Sequence, residues 1–366
     1  MKKRVVILLS RQSLRPCLMD PWVKNSIDAV KWIKENNHVI CTSVGMSSWE
    51  LVAALSRTHE LEIELFLPLF SNEKYDEIKY YYIDQFQLSE IKTNFIPIKL
   101  QQVSKSKEKL WQQRDKQIIE SADIIVPVCV RKNGNLERLY HNSETSGKTI
   151  IKSFQTNPHQ SKKKLGYRIP IEIVNDDSNQ ICQDYIIHWT RTFNSHWPGE
   201  RLIDYYMAIS KFEYYPRDAY HTLLNIITNN KIFSSGKNMP DNIPTVSFSG
   251  QSLYNLTDLI RWRSRFQMSF EPYGIGIEKS FAEKIGIQKV IYISKDEKID
   301  TNINHWLYQS RGEITDWRYE MEYRYQGDLD LTQIPGDKIV LITRNKKESE
   351  KLYAQTNIRT FPFTTE

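Results

Sequence analysis

A chain of 366 residues, 40% hydrophobic and 26% charged, is too long for one ordinary core and too apolar for a disordered polypeptide, so two globular domains are expected. Its four cysteines (Cys17, Cys41, Cys129 and Cys182) are far apart and form no CxxC pair, which argues against a disulfide framework or a structural zinc site. The net charge of +6 falls almost wholly before residue 185, a balance that suits anionic ligands in the first half.

The chain opens on Met1-Lys2-Lys3-Arg4 and runs straight into Val5-Val6-Ile7-Leu8-Leu9. That apolar run is too short for a signal-peptide core or a membrane span, so a cytoplasmic protein without a membrane partner is expected. Through residue 155, strand-like segments at 4–9, 38–44, 61–67, 94–98, 124–128 and 149–154 alternate with helical patterns at 23–35, 47–56, 106–121 and 135–142. Strands separated by helices require crossover connections, so residues 1–155 should form a Rossmann-like α/β domain with a mostly parallel sheet. Residues 156–184 are expected to form a linker or exposed segment, with Pro158 and the run Lys162-Lys163-Lys164 near its start. From 185 to 366 the rhythm changes. Helical patterns at 200–211, 218–229 and 253–267 mix with strand-like segments at 246–248, 273–277, 290–293, 319–324 and 339–342, helices clustering early and short strands late, which predicts a separate α+β domain.

In a parallel sheet, ligands collect beyond the carboxyl ends of the strands. Three loops fall there: Ser10-Arg11-Gln12-Ser13, then Ser43-Val44-Gly45-Met46-Ser47-Ser48, and Arg131-Lys132-Asn133-Gly134-Asn135. Gly45 and Gly134 suit tight turns, and Ser47, Ser48 and Asn135 can cap helices. Each loop alone could be no more than a turn and a cap; together they suggest a phosphate site for a nucleotide. The segments Gly45-Met46-Ser47-Ser48, Arg114-Asp115, Ser121 to Val128 and Gly134-Asn135-Leu136-Glu137 resemble the superfamily that joins DNA-processing protein A to the lysine-decarboxylase-like phosphoribohydrolases. The resemblance covers about the first 150 residues and implies nucleotide or single-stranded DNA binding. The hydrolase branch has a Pro-Gly-Gly-x-Gly-Thr-x-x-Glu motif. Only Gly134, Asn135 and Glu137 echo it here, which points to binding or sensing rather than hydrolysis.

In the second half, Trp317 to Arg324 contains Glu320-Met321-Glu322. On a strand, Glu320, Glu322 and Arg324 would share a face. Two close carboxylates can divide their protonation states and stabilise an oxocarbenium-like cation, although a salt-bridged structural strand explains them equally. Arg261-Trp262-Arg263-Ser264-Arg265-Phe266 reads as a basic aromatic helix face, and Glu271 to Ile277 as a strand. Together with His221-Thr222 and its following helix, these segments resemble the ADP-ribosyltransferase fold and bacterial abortive-infection proteins. By that resemblance His221 and Thr222 would bind the ribose of NAD, and Tyr273 would lie near nicotinamide. Ser247 would stand in the site, Arg261, Arg263 or Arg265 would hold phosphate, and Glu320 or Glu322 would support the ribosyl cation. The expectation is then a toxin-type or defence protein that uses NAD as substrate, with a nucleotide or nucleic acid sensed by the first domain. Two alternatives stay open: a non-enzymatic binder of single-stranded DNA or RNA, and a nucleotide hydrolase acting through Glu137. No metal motif is present, and Gly147-Lys148-Thr149 lacks the leading glycine of a P-loop.

Overall fold

The computed structural model describes residues 2–69, 74–99, 107–144, 147–157, 169–237, 239–260, 262–263, 267–268, 270–294, 297, 303–312 and 316–366. The chain divides into two compact units. One comprises Met1–Lys162 with Asn194–Pro216, the other Lys163–Phe193 with Arg217–Glu366.

The first unit runs β1 (Arg4–Leu9), α1 (Pro21–Glu35), β2 (Val39–Ser43), α2 (Ser47–Thr58), β3 (Ile63–Leu69), α3 (Tyr75–Phe86), β4 (Thr93–Lys99), α4 (Lys107–Ser121), β5 (Ile124–Cys129), α5 (Asn135–Glu144) and β6 (Thr149–Ile150). Its six strands are parallel in the order β4-β3-β2-β1-β5-β6, as the alternating pattern predicted. β1 is buried on both faces because a parallel sheet is covered on both. Val5, Ile7 and Leu9 enter one core, and Val6 and Leu8 enter the other. In α1, Pro21 opens the helix, and Trp22, Val23, Ser26, Ala29, Val30 and Ile33 form its buried stripe. Strand order reverses between β1 and β5, which creates a switch point at their carboxyl ends.

The helix Leu202–Ile209 belongs to this first unit, contrary to the expectation that it lay in the second. Leu202, Tyr205, Tyr206 and Ile209 join the core that contains Val5, Ile7 and Leu9. Its amphipathic pattern told of a buried face but not of which core that face would fill.

The second unit is α+β, as expected. Its seven-stranded sheet runs Gln288–Lys289, Glu322–Gln326, Thr245–Ser249, Tyr185–Trp189, Gly274–Glu278, Ile339–Thr343 and Thr360–Pro362. Neighbours are antiparallel except the last pair. Gly276 is a requirement of packing, since a Cβ there would stand 2.6 Å from Val340 Cγ2. Part of the expected 156–184 linker folds into this unit. The helix Asp176–Cys182 is capped by Asn175, whose side chain accepts from the Ser178 amide, and Ile169, Val174 and Cys182 are core residues. The expected helix at 253–267 is also corrected. Among the described residues of that stretch the helix covers Leu253–Leu256, and Trp262–Arg263 pairs antiparallel with Gln267–Met268. The alternation Ile260-Arg261-Trp262-Arg263 serves a strand as readily as a helix.

Candidate nucleotide site and the second-unit cluster

At the switch point, two loops are fastened together. The Ser10 amide donates to the Cys129 carbonyl (2.8 Å), and Ser10 Oγ accepts from the Arg131 amide (2.8 Å). Gln12 braces the junction, its Nε2 donating to the Ser10 carbonyl (2.7 Å). Beside it, Ser48 Oγ donates to the Leu9 carbonyl (3.4 Å), so Ser48 holds the loop and is buried. Ser47 starts α2, whose N-cap position, Met46, supplies no side-chain cap. The first-turn amides therefore keep their positive partial charge toward the sheet edge.

Gly45 makes the turn before α2 at φ +83°. Its amide donates to Glu50 Oε1 (2.9 Å), and Glu50 Oε2 accepts from Tyr206 Oη (2.6 Å). A buried guanidinium supports the same turn. Arg114 is 1% exposed; Nη1 donates to the Val44 carbonyl (3.1 Å), and Nε and Nη2 donate to Asp115 Oδ1 (3.0 and 2.7 Å). The Trp111 and Trp49 rings flank it at 4.7 and 5.5 Å. Burial pushes the Asp115 carboxyl up, against the pull of Arg114. Trp111 also packs on the turn, since a Cβ on Gly45 would stand 2.9 Å from its ring.

The third loop turns through Asn133 at φ 59°. The Asn133 amide donates to the Glu137 carboxylate, so Glu137 closes its own helix start as in a capping box. Asn135 Nδ2 is buried with no hydrogen-bond partner among the described residues. Arg11, Arg131 and Lys132 are exposed on these loops. Ser10, Arg11, Gly45, Ser47, Ser48, Gly134, Asn135 and Glu137 thus all lie on one sheet edge. Gln12 stood in the first expected loop without a role of its own, and Glu50, Trp111 and Tyr206 were missed by sequence reasoning. A glutamate in the first turn of a helix was a visible cue for Glu50; nothing marked Tyr206, which comes from a distant segment.

In the second unit the expected residues fall into two groups. The first is built around α-helical Ala219–Asn229. Asp218 caps it by accepting from the His221 amide (2.8 Å), and His221 Nδ1 donates to the same oxygen (2.8 Å). Tyr220 stands between His221 and Tyr273, with ring separations of 5.9 and 5.8 Å. Tyr273 Oη donates to Glu348 Oε1 (3.3 Å). Burial, with Glu348 beside it, pushes the Tyr273 hydroxyl far above its ordinary value. Tyr220 Oη and Glu348 Oε2 are buried without hydrogen-bond partners among the described residues. Thr222 is turned to structure, donating to the Asp218 carbonyl (2.8 Å). Glu348 was missed, and its helix-start position alone signalled only a cap.

The second group is Ser247, Glu322 and Arg324. Ser247 Oγ donates to Glu322 Oε1 (2.8 Å), and Arg324 grips Glu322 through Nε (2.9 Å) and Nη2 (3.0 Å). Arg324 is fully buried and also donates to the Trp306 and Tyr308 carbonyls and to Gln309. The expected common face for Glu320 and Glu322 does not exist. Glu320 ends the 3-10 helix Trp317–Glu320, and Met321 at φ 48° turns the chain before the strand begins at Glu322. Asp316 causes this by accepting from the Arg318 amide (3.0 Å) and starting a turn where a strand was expected. Arg261 and Arg265 lie outside the described residues, and Arg263 lies in the short strand Trp262–Arg263. Two open clefts of about 460 and 490 Å³ flank this unit, and none of the expected residues lines either. No group of His, Cys, Asp or Glu among the described residues is arranged to hold a metal ion, and no described helix is long and apolar enough to cross a membrane.

No family model and no curated protein matches the chain. Among the solved structures weakly similar to it are two of DNA processing protein A. One is DNA processing protein A from Helicobacter pylori, studied for its single-stranded DNA binding mode, at 12% identity over 42% of this chain and 68% of that one, with a TM-score of 0.30. The other is DNA processing protein A from Streptococcus pneumoniae, at 9% identity over 42% and 59%, with a TM-score of 0.27.

Proposed function

We propose that the first unit binds a nucleotide-type ligand by its phosphate at the carboxyl edge of the sheet. The observation that carries this reading is the fastened junction of Ser10 and Arg131 at the switch point, flanked by the Gly45 turn and the uncapped start of α2. The first-turn amides of α2 and the exposed Arg11, Arg131 and Lys132 supply positive charge there. Glu50 and Glu137, the acidic side chains of the edge, are engaged with loop amides and set the turns. The test is binding of ATP and of an oligothymidylate to the full chain at low salt, with Arg131→Ala/Lys132→Ala and Gly45→Val variants. Weakened binding in both variants is expected. Unchanged affinity in both would place the ligand elsewhere.

A second reading concerns the second unit, and the meeting of His221 with Tyr273 across Tyr220 supports it. There NAD is the substrate, cleaved for ADP-ribosyl transfer or hydrolysis, with Glu348 and Asp218 as the nearby carboxylates. Nicotinamide release by the full chain, lost in Glu348→Gln and kept in Glu320→Gln, is the expected result. Absence of release, with or without nucleic acid, removes this reading.

A further inference from the structure

In the second unit the strand Tyr185–Trp189 begins where the strand Gly274–Glu278 ends, with Tyr185 opposite Glu278 in the antiparallel register. The chain then continues into Lys279, whose amide donates to the Asp184 carbonyl (2.9 Å). At this end of the sheet, a strand's length from Tyr273, lies the open cleft of about 460 Å³, a volume ordinary for a small-molecule site. Its lining joins Ile181, Asp184 and Tyr185 to Glu278, Lys279 and Ser280, and Arg359 completes it. Some of these groups are already spent. Glu278 accepts from Lys338 Nζ (2.6 Å) and from Ser280 Oγ, so a neighbouring cation cancels its charge. Lys279 Nζ donates to the Gln183 carbonyl, a neutral partner that leaves its charge uncompensated. Others are open. Tyr185 is 7% exposed, yet its hydroxyl has no hydrogen-bond partner among the described residues, where a buried phenol ordinarily finds one. The exposed Arg359 guanidinium lies 5.3 Å from the Phe361 ring and, like the exposed Asp184 carboxylate, forms no ion pair among the described residues. Burial pushes the Tyr185 hydroxyl above its ordinary value; Arg359 and Lys338 oppose that shift, and Glu278 and Asp184 add to it.

We propose that this cleft binds a zwitterionic amino acid, its carboxylate held by Arg359 and the Tyr185 hydroxyl and its ammonium group by Asp184. Uncompensated charge of both signs selects that class. A plain anion would suit Arg359 and Lys279 but would face Asp184, and a plain cation would face the two basic groups. A ligand carrying both charges meets each with its opposite. The guanidinium fork matches the two oxygens of a carboxylate, and the Tyr185 hydroxyl supplies a third donor beside it. Ile181 offers an apolar wall to the ligand's side chain. The site needs neither the phosphate edge of the first unit nor the cluster around His221.

The experiment screens the full chain for a raised melting temperature with each standard L-amino acid. The best of them is then titrated by calorimetry beside its N-acetyl and amide derivatives. At least one amino acid should raise the melting temperature, and both derivatives, each lacking one charge, should bind roughly ten-fold more weakly. Arg359→Gln should weaken binding by about ten-fold and Tyr185→Phe several-fold. Asp184→Asn should weaken binding of the free amino acid and leave that of the N-acetyl derivative unchanged. Arg359 and Asp184 are exposed and Tyr185→Phe keeps its ring, so the variants should fold, which circular dichroism verifies. If no amino acid raises the melting temperature, the proposal fails. An N-acetyl derivative that binds as tightly as the free amino acid refutes the zwitterion, and affinity that survives both Arg359→Gln and Tyr185→Phe places the amino acid elsewhere and overturns the site.

Discussion

Glu322 and Arg324 hold each other inside the second unit with two hydrogen bonds and a serine hydroxyl on the carboxylate. Removing one partner strands the other charge out of water, whereas removing both does not. Arg324→Met should therefore destabilise the second unit by about 3–5 kcal/mol, and Arg324→Met with Glu322→Leu should recover much of the loss. Urea unfolding of the three proteins checks this; equal stability of the wild type and Arg324→Met would show that the pair is not the anchor its geometry makes it. His188 supplies a pH dependence. Its Nδ1–H donates to the Ser247 carbonyl (2.9 Å), and burial lowers its pKa from 6.5. The unfolded chain then takes up the proton first as pH falls. The contribution is fully present above 6.5 and is lost below it, with a slope of at most about 1.4 kcal/mol per pH unit. His188→Gln should flatten that slope in urea midpoints taken from about pH 7.5 to 5.5; an unchanged slope would assign it to another group.

At the scale of elements, the Gly45 turn, α2 and α4 act as one support for the ligand edge. Trp111 and Arg114, both on α4, press against the turn and hold the Val44 carbonyl, so the turn's shape depends on a helix far away in sequence. Arg114→Lys keeps the charge but cannot span Asp115 and Val44 with a rigid fork. It should weaken ATP binding several-fold while the sheet stays folded, and Gly45→Ala should do so more strongly, because φ +83° and the Trp111 ring both oppose a Cβ. Isothermal titration on folded variants gives the answer, and full affinity in both would detach the turn from the site. The strands of this unit were legible because each is a short apolar run between helical patterns, and the loops at their ends followed from parallel topology. The second-unit elements were less legible for identifiable reasons. Asp316 starts a turn where Trp317 to Arg324 alternates like a strand, and residues 260–263 satisfy two periods at once. Glu348 is brought to Tyr273 by the helix Lys346–Thr356, a tertiary meeting that local spacing does not encode.

For the whole molecule, the division of charge and the division of the fold point the same way. The excess positive charge lies before residue 185, and the first unit presents Arg11, Arg131 and Lys132 in solvent at its sheet edge. Asn194–Pro216 returns to the first unit from beyond the charged half, and its Tyr206 reaches the Gly45 turn through Glu50, so the edge draws on both halves of the sequence. If roughly three or four of these cations meet phosphates, counterion release sets the salt dependence. The logarithm of the oligothymidylate affinity should fall against the logarithm of salt with a slope of about −2 to −3, and Arg131→Ala should reduce its magnitude by about 0.7. A slope near zero, or one that Arg131→Ala leaves unchanged, would separate affinity from the basic edge and overturn this arrangement of charge.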